Sequence, residues 1–192
     1  MDVVPGQLAH WGPAAEHQHA VRDGVAFVPA DRKRQGLVLQ MTVLQNLMMA
    51  STSRVARLRP PRGGEELALA QRTMSELRIH AHSPRSPVSS LSGGNQQKVV
   101  LGKWLTTSPK VMMLDEPTRG VDVGAKAEIY RLLFASAERG IGIVVSSSEV
   151  PELLTLCHRV LVMFRGRVVA TLSREEATEA RIAHFAGGHH EH

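Results

Sequence analysis

The chain has 192 residues, room for one domain with its own core, and 23 Lys+Arg against 18 Asp+Glu leave a net charge of +5. Its apolar and charged fractions are those of a globular domain, and no run of about 18 apolar residues predicts a membrane-spanning helix. Met1-Asp2-Val3-Val4-Pro5 lacks the basic-then-apolar order of a secretory leader, and the single cysteine, Cys157, can close no internal disulfide; the expected compartment is the cytosol. The positive balance raises nucleic-acid binding, but much of the arginine lies in two short runs, Arg32-Lys33-Arg34 and the stretch from Arg54 to Arg62. Neither is interleaved with aromatics, so both read as solvated basic faces and no nucleic-acid partner is expected.

Residues 1–23 are polar and His-rich and give no assignable element. Gly24 to Pro29 reads as a short strand stopped by proline. Arg54 to Gly64, with two prolines and two glycines among arginines, reads as a loop. From Glu65 to Leu77, the apolar residues Leu67, Ala70, Met74 and Leu77 recur at helical spacing. Ser83 to Ser90 is a Ser/Pro loop, followed by Leu91-Ser92-Gly93-Gly94 and a helix over Asn95 to Leu105. Val111 to Leu114 is wholly apolar and ends in two acids, which suits a buried parallel strand whose carboxyl end meets a ligand. Ala125 to Ala137 reads as a helix with Ile129, Leu132, Leu133 and Ala137 on one face, and Ile141 to Val145 as another buried strand. Val160 to Phe164 and Arg167 to Leu172 read as two strands around a tight turn at Arg165-Gly166. Ser173-x-x-Glu176 reads as a capping box opening a last helix. His189-His190-Glu191-His192 has metal-binding residue types but reads as a disordered terminus. Strands alternating with helices predict an α/β domain with a parallel sheet.

Three segments carry chemistry. Ser92, Gly93 and Gly94 ahead of a helix can bring free N–H groups and the positive end of the helix dipole against a phosphate; a helix N-cap with a flexible lead-in explains them as well. Asp115 and Glu116 at the end of an apolar strand suit phosphate chemistry, one carboxylate holding Mg²⁺ and the next polarising the attacking water; a strand ending in a charged turn is the alternative. In Thr118-Arg119-Gly120-Val121-Asp122, Gly120 permits a sharp turn and Asp122 can cap the next helix, which is sufficient by itself.

In this order the segments resemble a family. LSGGNQQK and VMMLDEPTRGVDVGAK are similar to the signature motif, Walker B motif and D-loop of ABC ATPases. The Asn95-Gln96-Gln97-Lys98 ending, Trp104-Leu105 and Thr118 to Gly124 resemble one branch, the double-cassette ATPases of ribose, xylose and galactose-type importers, in their second cassette. Val28 to Leu37 resembles that branch's VPEDRKxxGL stretch, and Ser147 to Glu152 its SSELPE stretch. The likeness covers roughly residues 24–180.

The resemblance implies a P-loop NTPase fold over residues 24–186, with a helical subdomain at about 42–105 whose segment from Thr42 through Leu77 would touch a membrane permease, and a His-rich tail at 187–192. Such cassettes sandwich ATP between two copies, one giving Walker A and Walker B, the other the signature motif and D-loop. The signature-side contacts implied are Ser92, Gly93, Gly94, Asn95, Gln96 and Asp122; Asp115 would hold Mg²⁺ and Glu116 would be the catalytic base. The Walker A sequence Gly-x-x-x-x-Gly-Lys-Ser/Thr does not occur among the 192 residues. The expectation is thus an incomplete, truncated or split cassette, with ATP and Mg²⁺ held in a composite site completed by another cassette; the alternative is a non-catalytic partner domain or an unstable fragment without ATPase activity of its own. Ala30 stands where the branch usually has Glu and other cassettes the Q-loop Gln, and Ser148 where many cassettes carry the switch His. The further implied partners are permease subunits and, indirectly, a sugar-binding protein, at the inner face of the cell membrane.

Overall fold

The computed structural model describes residues 15–51 and 63–188. The expectations for most of the His-rich start, the arginine loop up to Arg62 and the tail at 189–192 lie outside the described residues. The elements run α1 (Ala15–Asp23), β1 (Val25–Val28), a π-helical turn (Arg32–Gly36), α2 (Val43–Met48), α3 (Gly63–Glu76), a 3-10 turn (Val88–Ser90), α4 (Gly93–Leu105), β2 (Val111–Asp115), α5 (Val123–Glu138), β3 (Gly142–Ser146), α6 (Val150–Leu156), β4 (Arg159–Phe164), β5 (Arg167–Ser173) and α7 (Glu179–Ala186).

Strands β1, β2 and β3 form a parallel sheet in that order, with Val28 opposite Leu114 and Leu114 opposite Val145. Pro29 cannot donate to the ladder and ends β1. Ala26, Val28, Met112 and Leu114 are buried on one face, in one cluster with Val99, Val100 and Leu101 of α4 and Ile129 and Leu133 of α5. The other face differs from expectation. Phe27, Met113 and Val144 share one row of the register and are 50%, 44% and 53% exposed. The two strands expected to be buried therefore alternate, because among the described residues only one side of the sheet is covered.

Helices α2, α3 and α4 pack around Gly102. A Cβ there would sit 2.8 Å from Leu47, 2.9 Å from Leu77 and 3.1 Å from Thr73, so the three helices meet at a point only glycine fits. Helix α2 opens on a full capping box, Thr42 with Gln45. Asn46, wholly buried within α2, bonds both the N–H and the carbonyl of Val38 and reaches the Thr42 carbonyl. Lys103 of α4 donates to the Gly36 carbonyl at 2.7 Å, and burial holds its pKa below the usual lysine value.

Two helix expectations shift. In α5, Ser136 rather than Ala137 completes the buried stripe, and Ser136 bonds the Leu132 carbonyl to lose no hydrogen bond. The Ser173–Glu176 box forms, Ser173 donating its N–H to Glu176, but it closes a turn; α7 starts at Glu179 under Thr178, which accepts from Arg181 N–H. The hairpin β4–β5 turns at Arg165-Gly166 as expected, and its inner residues Val160, Val162 and Leu172 join Ile182 and Phe185 of α7 in a second buried cluster.

Candidate functional site

The signature segment forms the start of α4. Ser92 is the N-cap, accepting the N–H of Asn95 at 3.4 Å and its side-chain amide at 3.0 Å, and stays exposed. Gly93 and Gly94 are the first two helical residues, whose N–H groups have no intrahelical acceptor. Their positive end of the dipole faces out beside Ser92. Asn95 bridges that end to the chain after α3: its side-chain amide nitrogen bonds Ser92 and its side-chain oxygen accepts His80 N–H at 2.8 Å. Gln96 is buried and donates to the Val88 and Leu91 carbonyls, so its side chain supports the loop that delivers Ser92. Lys98 is also buried, paired with Glu128 of α5 and bonded to the Arg78 carbonyl.

Both signature glycines have a reason inside this chain. A Cβ on Gly94 would lie 2.4 Å from Ala125 Cβ, so α4 and α5 cross in contact there. A Cβ on Gly93 would lie 2.8 Å from an Arg32 guanidinium nitrogen and 3.1 Å from the Gly120 carbonyl. The D-loop turn, with Gly120 at φ +65°, thus presses on the first turn of α4. Asp122 caps α5, accepting Ala125 N–H at 2.9 Å, the local role its position predicts.

The acids stand at the carboxyl end of the sheet. Asp115 is the last residue of β2, opposite Ser146, and half-buried. Glu116 takes a left-handed backbone, φ +47°, which costs a side-chain-bearing residue on the order of 1 kcal/mol. Its N–H bonds the Ser146 carbonyl and its carboxylate accepts Ser148 N–H at 2.7 Å. Position 148 therefore meets Glu116 through its backbone, although its side chain is only a serine. Just beyond, Thr118 donates to Glu152 at 2.7 Å, both buried, and Lys126 pairs with Glu149. Burial, then Glu152, pushes the nearby Tyr130 phenol up.

The structure thus brings Ser92, Gly93, Gly94 and Asp122 to one surface and holds Asp115 with Glu116 at the end of β2. A single carboxylate such as Asp115 suits Mg²⁺, which takes its remaining ligands from phosphates and water. Among the described residues no group of three His, Cys, Asp or Glu gathers into a metal cage of its own. Sequence reasoning missed Arg32, Thr118 and Glu152. The first was read as part of a solvated basic run, yet its side chain points inward, and its partners lie 87 and 88 positions away, where no local pattern can show them.

A family model for the ABC transporter matches residues 6–119. The chain is 44% identical over 173 residues to the ribose import ATP-binding protein of Shouchella clausii, covering 90% of this chain and 35% of that protein. It is 47% identical over 171 residues to the xylose import ATP-binding protein of Moorella thermoacetica, covering 89% of this chain and 34% of that one. It spans about a third of the length of these relatives. In fold it is similar to an ATP-binding cassette solved as a post-hydrolysis dimer with ADP and phosphate, with a TM-score of 0.70 at 20% identity, covering 84% of this chain and 68% of that one. The family model spans more than half of the chain, and the chain belongs to the ABC transporter family.

Proposed function

We propose that this chain is an ATP-binding component of an ABC-type sugar importer, and that it supplies the signature half of a composite ATP site. The observation that carries the reading is the packing of the α4 start against the D-loop turn, which presents Ser92, the Gly93 and Gly94 N–H groups and Asp122 on one surface. That surface offers N–H donors and a helix dipole to a phosphate brought by a second cassette. Excluding water between the two cassettes strengthens each of these contacts. The names of the relatives support a pentose such as ribose or xylose as the cargo class.

On the other side, Asp115 and Glu116 stand where a Mg²⁺ ligand and a base would act, but the 192 residues hold no Gly-x-x-x-x-Gly-Lys-Ser/Thr loop to keep a phosphate against them, so this pair is the idle half of the composite site. The Ser148 N–H fixes the Glu116 carboxylate in one direction, so it is aimed before any water arrives. The exposed face of the helical subdomain is the surface offered to permease subunits at the inner side of the membrane, a sugar-binding protein delivering cargo from the other side.

The test is ATP hydrolysis by this chain mixed with a second cassette that carries a Gly-x-x-x-x-Gly-Lys-Ser/Thr loop. Ser92→Arg, which fills the seam, should reduce hydrolysis at least tenfold, while Asp115→Asn should change it less than threefold. The reverse pattern would mean that the chain works through its own acids and would overturn the signature-half assignment.

A further inference from the structure

Arg32 lies in the π-helical turn after β1, between two exposed residues, yet its side chain runs inward. Nη1 donates to the Arg119 carbonyl at 2.6 Å and Nη2 to the Gly120 carbonyl at 3.0 Å. These are consecutive carbonyls of the D-loop turn, gripped by one planar fork, a geometry that lysine cannot reproduce. The same Nη2 occupies the space beside Gly93 that a Cβ would need. Three segments distant in sequence therefore meet on one guanidinium: the turn after β1, the D-loop and the first residue of α4. Asp31 fixes the base of the turn by accepting the N–H groups of Lys33 and Arg34, so the arginine starts from a capped support.

We propose that Arg32 is a positioning residue that sets the D-loop turn against the signature helix, and that the Arg32 fork, together with the Gly120 carbonyl it holds in place, fills the space a side chain on Gly93 would need. This inference rests on the signature-half reading above. Both terminal nitrogens of Arg32 are engaged by backbone carbonyls of this turn. Arg32 acts by holding the two carbonyls that fix the path from Arg119 to Asp122, and so the spacing between Asp122 and the Gly93 and Gly94 N–H groups.

The role predicts a particular kinetic pattern. Nucleotide affinity belongs mainly to the partner's phosphate cradle, whereas the closed geometry belongs to Arg32. In the mixed assay with a loop-bearing second cassette, Arg32→Ala should lower kcat at least tenfold and leave KM for ATP within threefold. Arg32→Lys, with charge but no fork, should recover less than half of the loss. Hydrogen exchange of the whole chain should quicken about tenfold at residues 119–122 in Arg32→Ala and stay unchanged in the β4–β5 hairpin. Gly93→Ala supplies an independent measure, because the added methyl must displace the fork. Its loss of kcat should be at least fivefold in the native background and under twofold in Arg32→Ala, the non-additivity expected of two groups sharing one space. Full rescue by Arg32→Lys, an exchange increase spread evenly over the chain, or additive effects of Gly93→Ala and Arg32→Ala would each overturn the proposal. If Ser92→Arg leaves hydrolysis intact, the composite-site reading fails instead; if Ser92→Arg abolishes it while Arg32→Ala does not, only the role of Arg32 fails.

Discussion

The two faces of the parallel sheet both carry apolar rows and meet opposite fates. Met112 and Leu114 are at most 2% exposed beneath α4 and α5, while Met113, between them, is 44% exposed in line with Phe27 and Val144. A parallel strand normally reads as an unbroken apolar run because helices cover both sides. The run is present here on both faces, but among the described residues the cover is present on one. Hydrophobicity along a strand therefore reports what the strand is suited to meet, and burial reports what has met it.

Substitutions on the two faces should separate these quantities. Leu114→Ala on the covered face should cost about 2–5 kcal/mol, as large-to-small core changes do, read as a lower denaturation midpoint at unchanged slope. A cost under 1 kcal/mol would mean that the covered face is loosely packed after all. A smaller loss is expected where the sheet end meets α6. Thr118→Val removes one hydroxyl that donates to the buried Glu152, which Tyr130 also bonds, and should cost about 0.5–1.5 kcal/mol, the net contribution of one hydrogen bond. On the open face, Met113→Ser should change stability by no more than about 0.5 kcal/mol. Its visible effect should be on association: an exposed apolar row promotes self-contact, so light scattering at high concentration should fall relative to the native chain. Equal stability losses for Met113→Ser and Leu114→Ala would remove the distinction between the faces.

The smallest effect concerns the helices that provide the cover. Glu128 of α5 is held below the usual glutamate pKa, first by its hydrogen bond from Lys98 of α4. A carboxylate depressed in the folded state adds stability that is present above its unfolded value, about pH 4.3, and is lost as pH falls through the folded value. The melting temperature of the native chain should therefore approach that of Glu128→Gln as pH is lowered below about 4.3. A gap between the two that stays constant from neutral pH to pH 3 would show that the ion pair contributes nothing through protonation.

Local rules made much of the fold legible. Pro29 marked the end of β1, the apolar run before Asp115 marked β2, and Ser92 and Asp122 sit where capping residues belong. The Arg165-Gly166 turn placed the hairpin. What stayed hidden depends on partners far along the chain. Nothing near Ser173 says that its capping box would close a turn and leave the helix to Thr178. The site was legible as residue types and less so as roles. Gly93 and Gly94 read as openings for a phosphate, but their neighbours Arg32, Gly120 and Ala125 show that packing alone also demands them. Gln96 read as a ligand contact because it lies in the motif; its burial under Val88 and Leu91 is a tertiary fact.

The contact between Gly94 and Ala125 also has a mechanical meaning. Helix α4 is a rod of about 20 Å, and the point at which it bears on α5 is close to one end. From that bearing, Ser92 is about 3 Å away along the axis and the three-helix junction at Gly102 about 12 Å. If the rod tilts about this fulcrum, a sideways displacement of 1 Å at Gly102 becomes about a quarter of an ångström at Ser92, in the opposite sense. The Lys98–Glu128 pair and the Gly120 turn against Gly93 give the same helix two further bearings, so its polar end is held close to fixed while the far end has the longer arm.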